Sequence, residues 1–466
     1  MCLNPLIHTL EDVLTGIKIE RGRTRIASFA YADDVTVFLT LPADVQNLQE
    51  ALRTYEEATG AKILMQKSRA VAIGGWDASS MILDIPYNTG IKILGFHFTD
   101  RVNTANIEHW YSVTSQVRAT AQDAWYTDLS LDRRIRFVHD YLLVRIWYAA
   151  QIFPITSDSM RKLNTLISWF IWCGEIFRVP LSTLQRGRDI GGWDLVSMWA
   201  KCMALFIYRV QAQGRHEGSF TATWLMRWNI QSGAGNPPYL DVIPAVRGHL
   251  REYVADVAYI RSRDNTETCK KHLYTTLKAL IITDNRHQEM RITKLWPHAD
   301  WVTIWKNLQA APVSGLDTAT WYKVIHDIIP TNVRLHRITM SPTDTCKDCG
   351  GKDTLEHCLT ECGEGTTTWG HTKSIIARIL RTSAANIPHE WLVRPQFSLW
   401  PPQCHRAVLW VLARYVTFRT NHPCHLTQQD LMDLVRRSKW KMYQQTSRSK
   451  NIANILSSRY AILTKD

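Results

Sequence analysis

The chain of 466 residues carries 55 Lys and Arg against 42 Asp and Glu, a formal charge of +13, with 45% hydrophobic residues and 10 cysteines. That length accommodates two to four domains of ordinary globular composition. No stretch reaches about 18 uncharged apolar residues, which argues against a membrane span. The first twenty residues lack the basic start and apolar core of a secretory leader, and dispersed cysteines do not resemble a secreted disulfide scaffold, so the expected setting is intracellular and reducing.

The first informative stretch is "FAYADDVTVFL", residues 29–39. Ile26 to Tyr31 and Val35 to Leu39 are apolar, β-branched and aromatic runs of strand length, broken by Ala32-Asp33-Asp34. They predict a tight hairpin with both strands covered on at least one face. Carboxylates lifted to the tip of such a hairpin suit a hard cation such as Mg²⁺, which takes one or two protein carboxylates and fills its remaining positions with water and phosphate. Adjacent side chains on extended backbone diverge, so Asp33 and Asp34 alone supply half of a two-metal site. Upstream, Glu11 and Asp12 read as the solvated face of a short helix. Downstream, Val45, Leu48, Leu52 and Tyr55 predict a helix over 43–58 that stops at Gly60, followed by a strand over 70–73.

Helices dominate the expectation beyond residue 100. Residues 129–154 ("LSLDRRIRFVHDYLLVRIWYAAQIFP") show helical spacing with Arg133, Arg134, Arg136 and Arg145 interspersed. Trp169 and Trp172 read as helix packing, and Gly191-Gly192-Trp193 as a turn. Residues 232–238 read as a loop and a domain boundary.

Near residue 350 lies Cys346-x2-Cys349-x7-His357-x4-Cys362, four metal-ligating side chains within seventeen residues. Gly350-Gly351 allows the sharp turn that a shared metal requires, and Zn²⁺ closes such loops tetrahedrally. Cys358, beside His357, offers a competing set of four thiolates. Cys2, Cys173, Cys202, Cys269, Cys404 and Cys424 have no ligand spacing and read as small core residues. Residues 371–466 hold fifteen Lys and Arg against four Asp and Glu, a balance of +11. Such a tail, with Arg436, Arg437, Lys439 and Lys441 as its densest cluster, suits a phosphate backbone. It is interleaved with Trp391, Trp400, Trp410, Tyr415, Phe418, Trp440 and Tyr443, some available for stacking on bases and most expected in the core.

Tyr31-Ala32-Asp33-Asp34 resembles the Tyr-x-Asp-Asp box of reverse transcriptases, and Phe29 to Asp34 resembles its non-LTR (LINE-type) retrotransposon version. Residues 60–68 are similar to the family's Gly-Leu-Lys-Ile-Asn-x-x-Lys-Ser segment, with Leu64 in place of Asn. Ile93-Leu94-Gly95 is similar to the primer-gripping hairpin, and residues 129–134 to the Leu-Ser-Leu-x-x-Arg segment of the thumb. Residues 168–174 and 191–193 resemble Phe-Leu-Trp-x-Gly and Gly-Gly-Leu-Gly phrases. Residues 329–335 and 353–362 resemble the Leu-Pro-Thr-Asn-x-Arg-Leu and Glu-Thr-x-x-His-x-x-x-x-Cys phrases of the zinc knuckle. This resemblance implies Asp33 as principal and Asp34 as secondary Mg²⁺ ligand, Lys67 as general acid on the leaving pyrophosphate, and Arg133 or Arg134 on the duplex backbone. It implies Cys346, Cys349, His357 and Cys362 as Zn²⁺ ligands, favouring His357 over Cys358. RNA template and DNA primer or target are the implied partners, and the nucleus the implied location.

Leu3-Asn4-Pro5-Leu6-Ile7 resembles the end of a box that precedes the Asp-Asp hairpin in the family, so the chain is expected to begin inside the palm, without its first catalytic Asp. The expected fold class is mixed: a truncated α+β polymerase palm over residues 1–100, a helical thumb over 101–212, a helical connector over 213–340, a zinc knuckle over 341–370 and a basic helical tail over 371–466. Two functions fit this layout. One is a fragment of an RNA-directed DNA polymerase, inactive alone. The other is a non-catalytic nucleic-acid-binding remnant acting through knuckle and tail.

Overall fold

A computed structural model describes residues 3–19, 24–77, 82–100, 102–125, 129–176, 178–214, 271, 274–275 and 291–421. Arg436, Arg437, Lys439, Lys441, Trp440, Tyr443, Cys2, Cys269, Cys424 and the expected loop at 232–238 lie outside the described residues.

The elements run α1 (Asn4–Val13), β1 (Ile17–Ile19), β2 (Thr24–Ile26), β3 (Ser28–Tyr31), β4 (Asp34–Val37), α2 (Pro42–Thr59), β5 (Gly90–Ile93), β6 (Phe96–Thr99), α3 (Val102–Asp123) and α4 (Leu131–Phe137). A π turn, Val138–Leu142, leads into α5 (Leu143–Ala149), α6 (Ser157–Ile171) and α7 (Met198–Gly214). Then come α8 (Trp301–Ala310), α9 (Gly315–Ile325), α10 (Asn332–Arg337), a second π turn at His357–Glu361, α11 (Gly363–Leu380) and α12 (Pro402–Asn421). Among the described residues the strands form three separate two-stranded antiparallel sheets, β1–β2, β3–β4 and β5–β6. The chain divides into two compact units. One comprises Met1–Arg118, Val144–Leu163 and Met198–Ala279; the other comprises Ala119–Leu143, Asn164–Ser197 and Leu280–Asp466.

In the first unit, Leu6, Leu10 and Leu14 recur at helical spacing and bury with Ala27, Leu48 and Ala51. Asp44, in the first turn of α2, ties this core together. Its carboxylate accepts from the backbone N–H groups of Thr15, Thr40 and Leu41 at 2.9–3.0 Å and from the Thr15 hydroxyl at 2.9 Å. Burial by itself would raise the Asp44 pKa; the three N–H groups and the hydroxyl outweigh it and hold the carboxyl below its ordinary value. Helix α2 ends where Gly60 adopts φ +70, as the sequence predicts. The strand expected over 70–73 is absent: Ala70 makes only an isolated bridge to Tyr87. The β5–β6 hairpin turns through Leu94-Gly95, and Phe96 stacks on His109 and Tyr148 with ring centroids 5.2 and 4.7 Å apart.

In the second unit, Trp305, Trp321, Tyr322, Trp410 and Tyr415 are among the largest fully buried side chains. Helix α12 buries nearly every residue from Ala407 to Phe418, as expected of a helix apolar on all sides. It packs on α9 and α11. Arg414 meets both carboxylate oxygens of Asp317 at 2.7 and 2.9 Å, and Asp317 in turn closes the capping box of α9 with Ser314. At Gly191-Gly192 the turn is forced by packing: a Cβ on Gly191 would lie 2.6 Å from the Trp305 ring, and one on Gly192 would lie 1.9 Å from the Arg186 carbonyl. Trp172 is buried and Trp169 stacks on Trp125 at 3.7 Å, the packing role expected of this pair. Cys202 and Cys404 are core residues as expected, whereas Cys173 is exposed. The reason is that Cys173 sits in the turn that leaves α6, at φ +51, and not on its apolar face.

A Cys-Cys-His-Cys metal centre and the expected polymerase residues

The candidate metal centre grows from backbone geometry. Cys346 N–H donates to the Gly351 carbonyl at 2.7 Å and Gly350 N–H to the Cys346 carbonyl at 3.0 Å, closing a tight loop in which Gly350 takes φ +71. An antiparallel bridge, Thr345 to Lys352, closes its base. The second half is the π turn His357–Glu361, whose i to i+5 bond is Cys362 N–H to the His357 carbonyl at 2.9 Å. Residues five apart diverge by more than a quarter turn on an α-helix, but a π turn stacks them. The spacing His357-x4-Cys362 is therefore matched to the local backbone.

The four ligand atoms, one each from Cys346, Cys349, His357 and Cys362, all lie within 4.8 Å of one another. The Sγ atoms of Cys346 and Cys362 are 3.9 Å apart, and His357 Nε2 is 3.2 Å from Cys349 Sγ. Two sulfurs bound tetrahedrally at ~2.3 Å from one zinc ion stand about 3.8 Å apart, so the set fits this ion. His357 presents Nε2 to the cluster, while Nδ1 faces the Glu361 carboxylate at 3.8 Å. Cys358 is turned away, its thiol near the Arg419 carbonyl at 4.0 Å. Burial raises the Cys358 thiol pKa. The ambiguity in the sequence thus closes in favour of His357.

The thiols are electrostatically unequal. Burial pushes against ionisation of Cys346, but N–H groups of Asp348 and Cys349, with His357 and Cys362 beside it, bring it down to about 7. Cys362 is pushed up to about 12, by burial first and then by the neighbouring thiols of Cys346 and Cys349. A divalent ion removes this conflict by holding the sulfurs as thiolates.

The segment before the knuckle frames it. Asn332 N–H donates to the Asp353 carboxylate at 2.7 Å and its side-chain amide to the Thr345 carbonyl at 2.8 Å. Thr354 Oγ1 accepts from His357 N–H at 3.0 Å. These framing residues had a sequence signal only through resemblance, Asn332 in the Pro-Thr-Asn-x-Arg phrase and Asp353-Thr354 at the start of the Glu-Thr-x-x-His phrase; the bonds they make show only in three dimensions.

The Asp-Asp hairpin forms in a different way from that expected. The turn is two residues, Ala32 and Asp33, with Asp34 already paired across from Tyr31. Val35, Val37 and Leu39 pack on the core of the first unit, but the tip is bare: Tyr31 is 66% exposed, and Asp33 and Asp34 are exposed. Among the described residues no group of three or more metal-ligating side chains includes them. Two divergent carboxylates do not by themselves fit a pair of Mg²⁺ ions. Lys67 is exposed at the end of a short 3₁₀ turn, Met65–Lys67.

Arg133 and Arg134 part company. Arg133 is exposed, whereas Arg134 is 5% exposed and donates to the carbonyls of Leu129 and Phe170 at 3.0 and 3.2 Å. Its guanidinium is committed to the fold, so of the two only Arg133 presents its side chain to solvent. Of the tail aromatics, Trp410, Tyr415 and Phe418 are core, while Trp400 is 86% exposed.

This is a zinc-knuckle type of cluster, set within a helical unit. The chain is similar to the Transposon TX1 uncharacterized 149 kDa protein of Xenopus laevis, 22% identical over 182 residues. The match covers 38% of this chain and 14% of that protein, so the chain spans a small part of its relative. No family model matches the chain.

Proposed function

We propose that the chain is a retrotransposon-encoded protein, descended from RNA-directed DNA polymerases, that holds RNA or DNA through its zinc knuckle and adjoining basic surface. The observation that carries this reading is the convergence of Cys346, Cys349, His357 and Cys362. The similarity to a transposon protein supports the origin. Exposed Lys347, between the first two ligands, and exposed Arg337, at the end of α10, supply cations for a phosphate backbone, and Arg133 supplies one in the segment that resembles the thumb. Residues 422–466, with Arg436, Arg437, Lys439 and Lys441, add the densest positive charge in the sequence. The site of action is the nucleus.

Asp33, Asp34 and Lys67 belong in this reading to a polymerase palm. The exposure of the two acids, with no third ligand beside them among the described residues, favours binding over catalysis for residues 1–466 taken alone. Labelled single-stranded RNA and DNA, titrated with zinc-loaded protein over a salt series, test the proposal. Affinity should fall linearly on a log–log plot against salt and weaken when a chelator strips the zinc. No binding at low salt would sink it. Primer extension with Mg²⁺ should yield no product, and incorporation that Asp33→Asn abolishes would show that the chain is a polymerase in its own right.

A further inference from the structure

We infer that Arg419 and Tyr415, on helix α12, are positioning residues for the knuckle's metal, an inference that rests on reading the Cys-Cys-His-Cys cluster as a zinc centre. The π turn that carries His357 ends at Cys362, where the chain leaves one helix and Cys362 becomes the N-cap of α11. Carbonyls at the end of such a turn have no partner further along their own helix. Here the partners come from some sixty residues downstream. Arg419 donates to the Cys358 carbonyl through Nε at 3.2 Å and Nη2 at 2.8 Å. The Tyr415 hydroxyl donates to the Leu359 carbonyl. Residues 415 and 419 are four apart, hence on one face of α12, and the two carbonyls they hold lie in sequence between the ligands His357 and Cys362.

Two further observations tie this cap to a metal. Gly365 admits the guanidinium, since a Cβ there would lie 3.2 Å from Arg419 Nη2. Arg419 is 1% exposed, its Nη1 has no hydrogen-bond partner, and no carboxylate pairs with it among the described residues. A buried, unpaired cation is strongly disfavoured. Three thiolates and a neutral imidazole around Zn²⁺ leave one net negative charge, which offsets the guanidinium across the turn that Arg419 caps. Metal binding and the docking of α12 are therefore one linked equilibrium, and the knuckle is not an autonomous bead.

The test uses the full chain. Zinc affinity is measured by chelator competition, and Co²⁺ absorption reports ligand geometry, for Tyr415→Phe, Arg419→Gln and Arg419→Lys. Arg419→Gln should weaken zinc binding about ten- to a hundredfold, as loss of groups that orient metal ligands does. Tyr415→Phe should weaken it less, since it removes one neutral hydrogen bond and leaves the guanidinium in place. Removing zinc from the wild type should accelerate amide exchange across residues 405–420. Unchanged affinity in a folded Tyr415→Phe and Arg419→Gln pair, or exchange in 405–420 indifferent to zinc, would overturn the inference. A wild-type chain that takes up no zinc would sink the metal-centre reading itself.

Discussion

The side-chain amide of Asn332 donates to the carbonyl of Thr345 at 2.8 Å, one residue before Cys346, the first member of the Cys-Cys-His-Cys cluster. Its backbone N–H holds Asp353, just past the loop that the first two ligands define. One residue therefore clamps both ends of that loop. Asn332→Ala should lower zinc affinity roughly tenfold or more while sparing the helical core. Chelator competition and circular dichroism on the same sample read the two effects separately.

The ligand assignment has a direct check. Cys358→Ser should retain one zinc per chain with unaltered Co²⁺ charge-transfer bands, because its thiol faces Arg419. His357→Ala should lose metal or take it with a changed spectrum. The reverse pattern would make Cys358 the fourth ligand.

Metal uptake should release protons. The Cys362 thiol is held up to about 12 without metal, so it gives up a proton on binding at any neutral pH. Cys346, at about 7, gives up a further proton mainly below neutrality. Affinity should consequently rise with pH, and more steeply below pH 7 than above it. Calorimetry in buffers of different ionisation enthalpy counts the protons; zero release at pH 8 would contradict the geometry.

Arg133 and Arg134 should separate cleanly. Arg134→Ala strips hydrogen bonds from the buried Phe170 carbonyl and the half-buried Leu129 carbonyl and leaves a hole, for a loss of about 3 kcal/mol of stability. Arg133→Ala should leave stability within about 0.5 kcal/mol and reduce the salt dependence of nucleic-acid binding by about one ion. Urea unfolding and a salt titration distinguish them.

Asp44 sets an acid limit on the first unit. Its folded pKa lies below the unfolded value of about 3.9, so the stability it contributes is complete above that value and is lost as pH falls through the folded pKa. Asp44→Asn should cost about 2–3 kcal/mol near neutrality and flatten stability against pH in the acid range. An unchanged acid profile in the variant would show that another carboxylate carries the effect.

Local features were legible in the sequence and convergent ones were not. The α2 helix and its Gly60 stop and the spacing of the knuckle ligands depend on neighbours along the chain, and each formed where spacing placed it; the Leu94-Gly95 turn was legible only through the resemblance of Ile93-Leu94-Gly95 to a known hairpin. The bareness of the Asp33 tip was missed because apolar strands report that something covers them, not how far toward the turn the cover reaches. Arg134 looked like one more surface cation. Its burial depends on the carbonyl of Phe170, which sits far along the sequence. Arg419 gave no local signal at all, since its partners lie in a turn sixty residues earlier.

Each compact unit is assembled from three separate stretches of the chain. A single crossover cannot separate them cleanly: a breakpoint after residue 279 carries the first unit only together with two pieces of the second, and one before residue 119 carries the second only together with two pieces of the first. Neither unit can therefore be exchanged as a module without cutting into the other.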